Sequence, residues 1–428
     1  MTTWTALAEH SPDVRLDGPD ARVILAVVLE YELAPTAPIG QASRLGAAAL
    51  AGTASASIFL LITPGGRPPA DFLTYRYAAA LAARGGDVYA ANLSGPGLAG
   101  QPFTYPPVAT LVLWPVTTLP SRTGYVAWTA LTLAVLAAVL SIGTTGTARR
   151  SIALTGAVLA ASTTDLLGDH LRVGQIDVLL MGLCLLDLTR SDRSAFGRRC
   201  PRGVLVGVAT AIKLTPALFV VHFAVTRQWR LATFAAAGCA AATGVGALVH
   251  PHLTATFARS VAWTLSDRVD LQHAPSYSGN QSVTGIVAAA GFGSGPASLL
   301  LVLAVGAATL GAARSVHRAG RERDAWLIIG MSAPLLTPFS WNHHYVFVLP
   351  ALAVLARRSW AARPAATALG LAGALALLHF GPAAGAATLR DDPWWAAPAG
   401  AVVRENAVLA AVAGIVALTW SARRAAVR

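Results

Sequence analysis

The sequence has few charged residues and almost no lysine. Only 12% of its 428 residues are charged, and 55% are hydrophobic. Soluble globular proteins carry about twice that charged share. Many of the apolar runs approach the roughly 20 residues that a helix needs to cross a bilayer. The composition therefore excludes an ordinary soluble domain and predicts an all-α polytopic membrane protein.

Several motifs that bind metals or nucleotides are also missing. The three cysteines, Cys184, Cys200 and Cys239, form no CxxC or CxxH spacing, so they predict neither a disulfide framework nor a zinc site. The sequence has no Walker motif, no Rossmann glycine pattern, no HExxH spacing and no haem-ligand spacing. We therefore predict no cofactor and no metal ion.

The basic residues are 31 arginines and one lysine, and the net charge is +12. A nucleic-acid partner is not indicated, because the arginines occur in short clusters between apolar runs and not on one soluble face. This is the pattern of cytoplasmic loops in membrane proteins. The clusters lie at 149–150, 190–202, 227–230, 314–323, 357–363 and 423–428.

The apolar runs predict one transmembrane domain, residues 44–422, between a cytoplasmic N-terminal tail (1–43) and a cytoplasmic C-terminal tail (423–428). Full spans are expected near 44–63, 123–143, 151–168, 174–189, 231–250, 297–316, 324–340, 343–357, 364–383 and 403–420. Two weaker segments, 106–119 and 203–226, are not expected to cross fully. The second breaks at 213–216 (KLTP), because proline disfavours helix in the residue before it, and we predict a re-entrant hairpin there.

This topology gathers the unusual polar residues on the extracytoplasmic side. That side receives 64–105, 168–175, 251–281, 340–344 and 384–402, and the break at 213–216 points the same way. A polar site at membrane depth suits a substrate with a lipid tail and a polar head. We therefore predict an extracytoplasmic active-site cavity in a multi-pass plasma-membrane protein.

Asp71 begins an apolar stretch at helical spacing within 64–105, which predicts a helix lying along the interface with Arg76 and Arg84 on its opposite face. A carboxylate at this position can be a catalytic base held at the membrane surface. It can equally be a helix cap, since the N-terminal end of the helix dipole favours negative charge. The local sequence leaves both interpretations open.

Lys213 is the only lysine and lies inside an apolar segment. A cation there costs about 2.5–3.5 kcal/mol on insertion scales. A lysine can bind one phosphate as a compact charge without a bidentate fork, which is the interpretation that we favour. The alternative is a lysine at a helix end whose ammonium reaches the interface.

The remaining polar residues on this side have two interpretations each. Tyr105, in an aromatic turn, either faces substrate or anchors the interface. Arg172 is either a second phosphate contact or a headgroup contact. Trp341 either stacks on a sugar or lies at the interface. His343 and His344 are adjacent and cannot face one metal together, so we expect one of them to hydrogen-bond a carboxylate or a sugar hydroxyl.

A carboxylate and a cation beside a phosphate fit glycosyl transfer from a polyprenyl phosphate sugar. Asp71 would take the proton of the acceptor hydroxyl, and Lys213 would stabilise the departing phosphate. One displacement inverts the anomeric centre, so a β-linked donor gives an α-linked product.

Six short motifs in this order resemble the C-type membrane glycosyltransferases of glycosyltransferase family 87. The similarity is strongest to actinobacterial polyprenol-phosphate-mannose-dependent α-1,2-mannosyltransferases of phosphatidylinositol mannoside and lipomannan synthesis. The motifs are Asp71 with Tyr75, 103–107 (FTYPP), 174–180 (GQIDVLL), 213–216 (KLTP), 280–282 (NQS) and 340–344 (SWNHH).

The resemblance implies a C-type fold with about ten to thirteen membrane segments, some of them short. It implies that Asp71 is the catalytic base, that His343 or His344 supports it, and that Lys213 lies near the donor phosphate. It also implies a polyprenyl-phosphate sugar donor and a glycolipid acceptor among membrane lipids, with no nucleotide sugar and no metal. The expected substrate-binding residues are Tyr75, Tyr105, Arg172, Gln175, Asn280, Gln281, Trp341 and Asn342. Asp177 stands where asparagine is expected, so it receives no role.

Two alternatives stay open. The donor could carry arabinofuranose in place of mannose, since nothing in the motifs separates these sugars. A transporter or flippase for lipid-linked sugars is a different class, which inverted repeats with paired broken helices would favour.

Overall fold

A computed structural model describes residues 52, 68–90, 92–142, 148–269, 271, 273–293, 295–360, 362–382 and 398–427. The predicted tail at 1–43, the first predicted span apart from Gly52, and residues 383–397 lie outside this described part of the chain.

The described chain is mainly helical, which confirms the all-α prediction. Its one sheet is an antiparallel hairpin of β1 (Leu93–Gly95) and β2 (Leu98–Gln101). The helices are α1 (Ala70–Ala83), α2 (Val108–Val112), α3 (Ser121–Leu140), α4 (Ala148–Ser162), α5 (Asp165–Val173), α6 (Asp177–Thr189), α7 (Ala195–Arg199), α8 (Val204–Ile212), α9 (Ala217–Val225), α10 (Trp229–Val249), α11 (Pro251–Arg259), α12 (Leu265–Val269), α13 (Val283–Ala289), α14 (Pro296–Arg318), α15 (Glu322–Leu336), α16 (Val348–Trp360), α17 (Pro364–His379), α18 (Pro398–Arg404) and α19 (Asn406–Val427).

Four of the described helices are long and apolar enough to cross a membrane. They occupy Ser121–Leu140, Trp229–Val249, Pro296–Arg318 and Asn406–Arg424. Each coincides within a few residues with a span expected from hydropathy. The total of ten to thirteen membrane segments stays a prediction, because the other described helices are shorter than a full span.

Helix α1 is packed into the protein more deeply than the interfacial helix that we expected. Phe72, Tyr75, Ala78 and Ala82 are among its buried residues. Arg76 does not face away from the protein, because its Nη1 donates hydrogen bonds to the carbonyl oxygens of Val116 and Leu119. The first residues of α1 are therefore fixed relative to the rest of the fold.

The break predicted at 213–216 is present between α8 and α9. Helix α8 ends at Ile212, and Lys213 has extended backbone angles (φ −145°, ψ 134°). Helix α9 begins after Pro216. Lys213 is therefore located at the C-terminal end of α8, where the helix stops.

Helices α6 and α8 run in opposite directions, and this brings the ends of two distant segments together. Asp187, near the end of α6, is fully buried. Its Oδ2 accepts hydrogen bonds from the backbone N–H groups of Gly203 (2.8 Å) and Leu205 (3.1 Å) at the start of α8. The start of α6 at Asp177 is consequently level with Lys213 at the end of α8.

The close approach of α8 and α10 depends on glycine. A Cβ atom on Gly207 would lie 2.0 Å from the carbonyl oxygen of Ala235. We expect Gly207→Ala to lower the free energy of unfolding by about 1–3 kcal/mol, the usual cost of overpacking. Thermal unfolding of purified protein in detergent measures this.

Gly244→Ala is the matched control, because it lies on α10, the partner helix in this contact, and no described atom lies within 4 Å of its added Cβ. It should leave the melting temperature unchanged or raise it, since alanine is the better helix former. Equal melting temperatures for both variants would contradict the close packing of α8 and α10.

The predicted span at 151–168 is divided in the structure. Helix α4 ends at Ser162 and α5 starts at Asp165, because the hydroxyl of Thr164 accepts a hydrogen bond from the N–H of Leu167 and caps the new helix. Helix α5 carries Asp165, Asp169 and Arg172 on neighbouring turns. The division thus creates a short polar helix beside the site.

Candidate active site

The Asp71 carboxylate is held by the Gln175 side chain. Gln175 Nε2 donates a 2.7 Å hydrogen bond to Asp71 Oδ2. The N-cap of α1 is Pro69, and no side chain caps this helix. The helix-cap interpretation of Asp71 therefore finds no hydrogen bond to support it. Asp71 is partly exposed while Gln175 is buried, so the carboxylate lies at the boundary of the site with its amide partner behind it.

Two tyrosines complete the support of Gln175. The Tyr75 hydroxyl donates to Gln175 Oε1 at 3.0 Å, and the Tyr105 hydroxyl lies 3.3 Å from the same oxygen. The two hydroxyl groups are 3.0 Å apart. With its Oε1 atom occupied by these hydroxyls, Gln175 must present its N–H group to Asp71. The four predicted residues form one hydrogen-bonded cluster.

Lys213 joins this cluster from the other side. Its Nζ lies 5.7 Å from the centre of the Tyr105 ring, within the range of a cation–π interaction. The same Nζ donates a 2.7 Å hydrogen bond to Asp177 Oδ1. The lysine is therefore not at a lipid-facing helix end, and its charge is compensated by a buried carboxylate to which the sequence assigned no role.

The two histidines have different partners. His343 Nδ1 lies 2.6 Å from Asp169 Oδ2 and donates to it. His343 Nε2 is buried, and it has no hydrogen-bond partner within the described ranges. A histidine oriented by a carboxylate presents its other nitrogen in a defined tautomer. When protonated, His343 is the group that most strongly opposes the rise that burial causes in the pKa of Asp71.

His344 faces Asp177. The backbone N–H of Trp341 lies 3.3 Å from His344 Nδ1 and can only donate, so this nitrogen is an acceptor. In the neutral ring the proton is then on Nε2, which lies 4.0 Å from Asp177 Oδ2. Of the two histidines, His343 is bound to Asp169, and His344 faces the Asp177–Lys213 pair.

Arg172 and Asn342 meet at α5. Asn342 Nδ2 donates a hydrogen bond to Asp165 Oδ2. Arg172 Nη2 lies 3.0 Å from Asp165 and 3.6 Å from Asp169, and 60% of its side chain is exposed. Arg172 can therefore reach a ligand from outside, but in this structure its charge is shared by two carboxylates.

Asn280 and Gln281 are fully buried beneath the 340–344 segment. Asn280 Oδ1 accepts a hydrogen bond from the backbone N–H of Ser340 at 3.1 Å, and the N–H of Gln281 donates to Ser340 O at 2.6 Å. Gln281 Nε2 donates to Arg404 O at 2.7 Å. These bonds position the loop that carries the histidines, and the predicted substrate contacts of both residues stay predictions.

Trp341 is partly exposed at the edge of the site. Its ring stacks on His343 with an interplanar angle of 6° and a centroid distance of 6.3 Å. Its Nε1 donates to Val269 O at 3.2 Å. The predicted sugar-stacking role of Trp341 stays a prediction, but its ring is fixed beside the histidine that faces Asp169.

Three carboxylates of this site were missed in the sequence. Asp165, Asp169 and Asp177 orient Asn342, His343 and Lys213 respectively. Asp165 and Asp169 are four residues apart, and that spacing puts both on one helix face. This spacing was overlooked because residues 151–168 were predicted to form one transmembrane span that ends just before Asp169.

The surroundings of Asp71 raise its pKa. Burial is the largest cause, and the hydrogen bond from Gln175 and the charges of His343 and Lys213 only partly oppose it. If Asp71 acts as a base, activity requires its carboxylate form and falls as the pH drops through this raised pKa. We therefore expect the acidic limb of the rate profile above the ordinary aspartate range of about 3.9.

Gln175→Leu should move that limb to higher pH. The variant removes an N–H donor that stabilises the carboxylate, so the pKa of Asp71 rises further and a larger fraction is protonated at a given pH. Turnover measured between pH 4 and 8 tests this. Gln228→Leu, far from Asp71 and bonded to Thr226, is the control. If the acidic limb of the rate profile stays at the same pH in Gln175→Leu, the pH dependence does not come from Asp71.

Comparison with known proteins identifies a matching protein family. The sequence profile described as glycosyltransferase family 87 matches residues 103–338, a range that contains Tyr105, Gln175 and Lys213 but not Asp71. No solved structure matches the chain.

Three mycobacterial proteins are similar to the chain. It is 34% identical to a polyprenol-phosphate-mannose-dependent alpha-(1-2)-phosphatidylinositol mannoside mannosyltransferase of Mycobacterium tuberculosis, over 64% of this chain and 66% of that protein. It is 31% identical to the protein of that name in Mycolicibacterium smegmatis, over 63% and 66%. It is 29% identical to a polyprenol-phosphate-mannose-dependent alpha-(1-2)-phosphatidylinositol pentamannoside mannosyltransferase of Mycobacterium tuberculosis, over 83% and 84%.

The chain thus spans 66% of the length of the first two relatives that it matches. The family match covers more than half of the chain, and the four apolar helices agree with a membrane family. These findings confirm the predicted all-α polytopic membrane fold of the C-type glycosyltransferases. The chain belongs to glycosyltransferase family 87.

Proposed function

We propose that this protein transfers mannose from a polyprenyl-phosphate mannose to a lipid-anchored mannoside acceptor and forms an α-1,2 linkage. One observation supports this most: the partly exposed Asp71 carboxylate and the only lysine meet the same Gln175–Tyr105 cluster. The names of the three mycobacterial relatives provide the donor, the linkage and the class of acceptor.

The reaction is a single displacement. The acceptor hydroxyl oxygen attacks C1 of the mannose while the bond from C1 to the phosphate oxygen breaks, and the electron pair leaves with the phosphate. Asp71 takes the acceptor proton. Gln175 holds the carboxylate in place before that transfer, and its hydrogen bond and a positive charge on His343 both lower the pKa of Asp71 against the effect of burial. Attack opposite the leaving group turns a β-linked donor into an α-linked product.

Lys213 receives the charge of the departing polyprenyl phosphate. The ammonium group is bound to Asp177, so the phosphate would share it with this carboxylate. Asp177 holds the ammonium group of Lys213 at the site between turnovers. It acts as a positioning residue for the cation.

We place the first isoprene unit of the donor at a narrow cavity next to the ion pair. It runs between α6, α9 and α15, and its polar end is formed by Asp177 and His344. Apolar side chains line the rest, including Met181, Phe219 and Phe347. A lipid phosphate at Lys213 would have its apolar chain directed along this cavity.

The positive-inside pattern supports an extracytoplasmic site in the plasma membrane. Arg202, Arg323 and Arg358, one from each of three arginine clusters, line a cavity with Thr189 at the end of α6. Asp177, at the start of α6, lies in the site. The two groups are therefore separated by about 20 Å of helix. Labelling an introduced cysteine near Asp71 in intact cells with a membrane-impermeant reagent tests the orientation.

A donor comparison with purified protein tests the proposed reaction. Labelled polyprenyl-phosphate mannose, polyprenyl-phosphate arabinofuranose and GDP-mannose are supplied separately with a phosphatidylinositol mannoside acceptor. We expect mannosyl product from the first donor alone. Product from the arabinofuranose donor alone would show that arabinofuranose, and not mannose, is the sugar transferred. Movement of intact donor across vesicles without any glycosidic product would instead favour a flippase.

A further inference from the structure

We propose that the basic end of the molecule binds an anionic glycerophospholipid. The site lies between α3, α6, α15 and α16, at the opposite end of α6 from Asp177. Two adjoining cavities form it and share Thr189, Arg323, Asp324, Trp326 and Arg358. This site takes no part in the proposed transfer reaction and does not depend on it.

The cavities are lined by five arginines and two carboxylates, Glu322 and Asp324, so positive charge is in excess at their mouth. Asp324 is nearly fully buried and is bound by both terminal nitrogens of Arg358, at 2.7 and 2.8 Å. The charges of Arg358 and Asp324 therefore compensate each other. Arg357 donates to the carbonyl oxygen of Leu140, and in the described part of the chain neither Arg357 nor the exposed Arg323 has a carboxylate within 4 Å. Two arginines are left to attract an anion.

Trp326 gives the second indication of a ligand. Its side chain is 3% exposed and lines both cavities. Its Nε1 is buried, and no hydrogen-bond acceptor reaches it from the described residues. Leaving such a donor unpaired is costly. A phosphate or ester oxygen of a bound lipid would accept this hydrogen bond.

The second cavity continues from the arginines into an apolar groove. Leu185, Leu327, Pro350 and Val354 line it. The groove follows α16 from Arg358 to Pro350, which is about 12 Å of helix. A free phosphate would leave this apolar surface empty, whereas a phospholipid would place its phosphate at Arg323 and Arg357 and the first part of an acyl chain in the groove. Charge and shape together thus point to a lipid.

Native mass spectrometry of the purified full-length protein in detergent tests the proposal. The protein is titrated with phosphatidylglycerol, with phosphatidylcholine of the same acyl chains, and with inorganic phosphate. We expect one tightly retained phosphatidylglycerol and a higher melting temperature in its presence. Equal retention of phosphatidylcholine, or an equal effect of inorganic phosphate, would overturn the proposal.

Two variants locate the site. Arg323→Gln/Arg357→Gln should weaken phosphatidylglycerol binding by about thirty-fold, since each basic group beside an anionic lipid is worth a factor of about five. The charge-matched control is Arg314→Gln/Arg318→Gln, which removes two arginines of the same basic end outside both cavities and should bind normally. Equal loss in both double variants would mean diffuse attraction and would contradict a defined site.

Trp326→Phe removes the N–H donor and keeps an aromatic side chain, although a smaller one, so it tests the site if the arginine variant does not fold. It should weaken phosphatidylglycerol binding several-fold. Unchanged affinity in Trp326→Phe, with the protein eluting normally in size-exclusion chromatography, would contradict the assigned headgroup position.

Discussion

Asp71→Asn should lower the turnover of mannosyl transfer by about 10²–10⁴-fold, the usual contribution of a general base. The change keeps the shape of the side chain and an oxygen for the Gln175 N–H group, which now lies 2.7 Å from the carboxylate. We therefore expect normal folding and normal donor binding. The variant loses only the group that accepts the acceptor proton.

The control for Asp71 is Asp267→Asn. Asp267 is exposed on α12, in the 251–281 segment predicted to lie on the same side of the membrane, and its only described bond is to the neighbouring Ser266. This variant should transfer mannose at the normal rate. Full turnover by Asp71→Asn would show that Asp71 is not the base. Equal losses of turnover in Asp71→Asn and Asp267→Asn would point to an indirect effect of the lost charge.

Lys213→Gln should have the largest combined effect on stability and activity. Asp177, 8% exposed, would lose the lysine that compensates its charge. Breaking a buried ion pair on one side costs about 3–5 kcal/mol. Mannosyl transfer would also lose the charge that stabilises the departing phosphate. Melting temperature and turnover should therefore both fall.

The double variant Lys213→Gln/Asp177→Asn separates the two effects. It removes the unpaired carboxylate together with the cation, so most of the stability should return. Turnover should stay low because the leaving phosphate still has no cation. A double variant that regains turnover would show that Lys213 acts on folding alone.

Asp177→Asn by itself tests the role given to that carboxylate. Asparagine keeps a side-chain oxygen that can hold Nζ, which now lies 2.7 Å from Asp177 Oδ1, but it removes the negative charge that competes with the phosphate for the lysine. We expect transfer to continue with a lower KM for the lipid-phosphate donor, and asparagine is the residue that the family resemblance implies here. A loss of turnover as large as in Lys213→Gln would instead place Asp177 among the catalytic groups.

The sequence predicts the helix break at 213–216 and the long apolar helices well, since both depend on local chemistry. Proline prevents a continuous helix through Lys213, and apolar length decides where a chain can span. The gathering of Asp71, Tyr75, Tyr105, Gln175 and Lys213 followed from topology, because loops on one side of a membrane share a small area.

The pairing of charges was not predictable in the same way. Asp169 meets His343 and Asp177 meets Lys213 across 174 and 36 residues of chain, and no local pattern encodes such distances. The deep burial of α1 was missed for a related reason. Arg76 and Arg84 indicate a polar outer face of the helix, but Arg76 in fact donates to the carbonyl oxygens of Val116 and Leu119.

Single-turnover transfer with linkage analysis tests the central claim most directly. Purified full-length protein, in excess over labelled polyprenyl-phosphate mannose, is mixed with a phosphatidylinositol mannoside, and the product linkage is determined. We predict an α-1,2-linked mannoside from the wild-type protein and almost none from Asp71→Asn at equal donor occupancy. Wild-type protein that leaves the donor intact, or Asp71→Asn that forms product at the wild-type rate, would contradict the account.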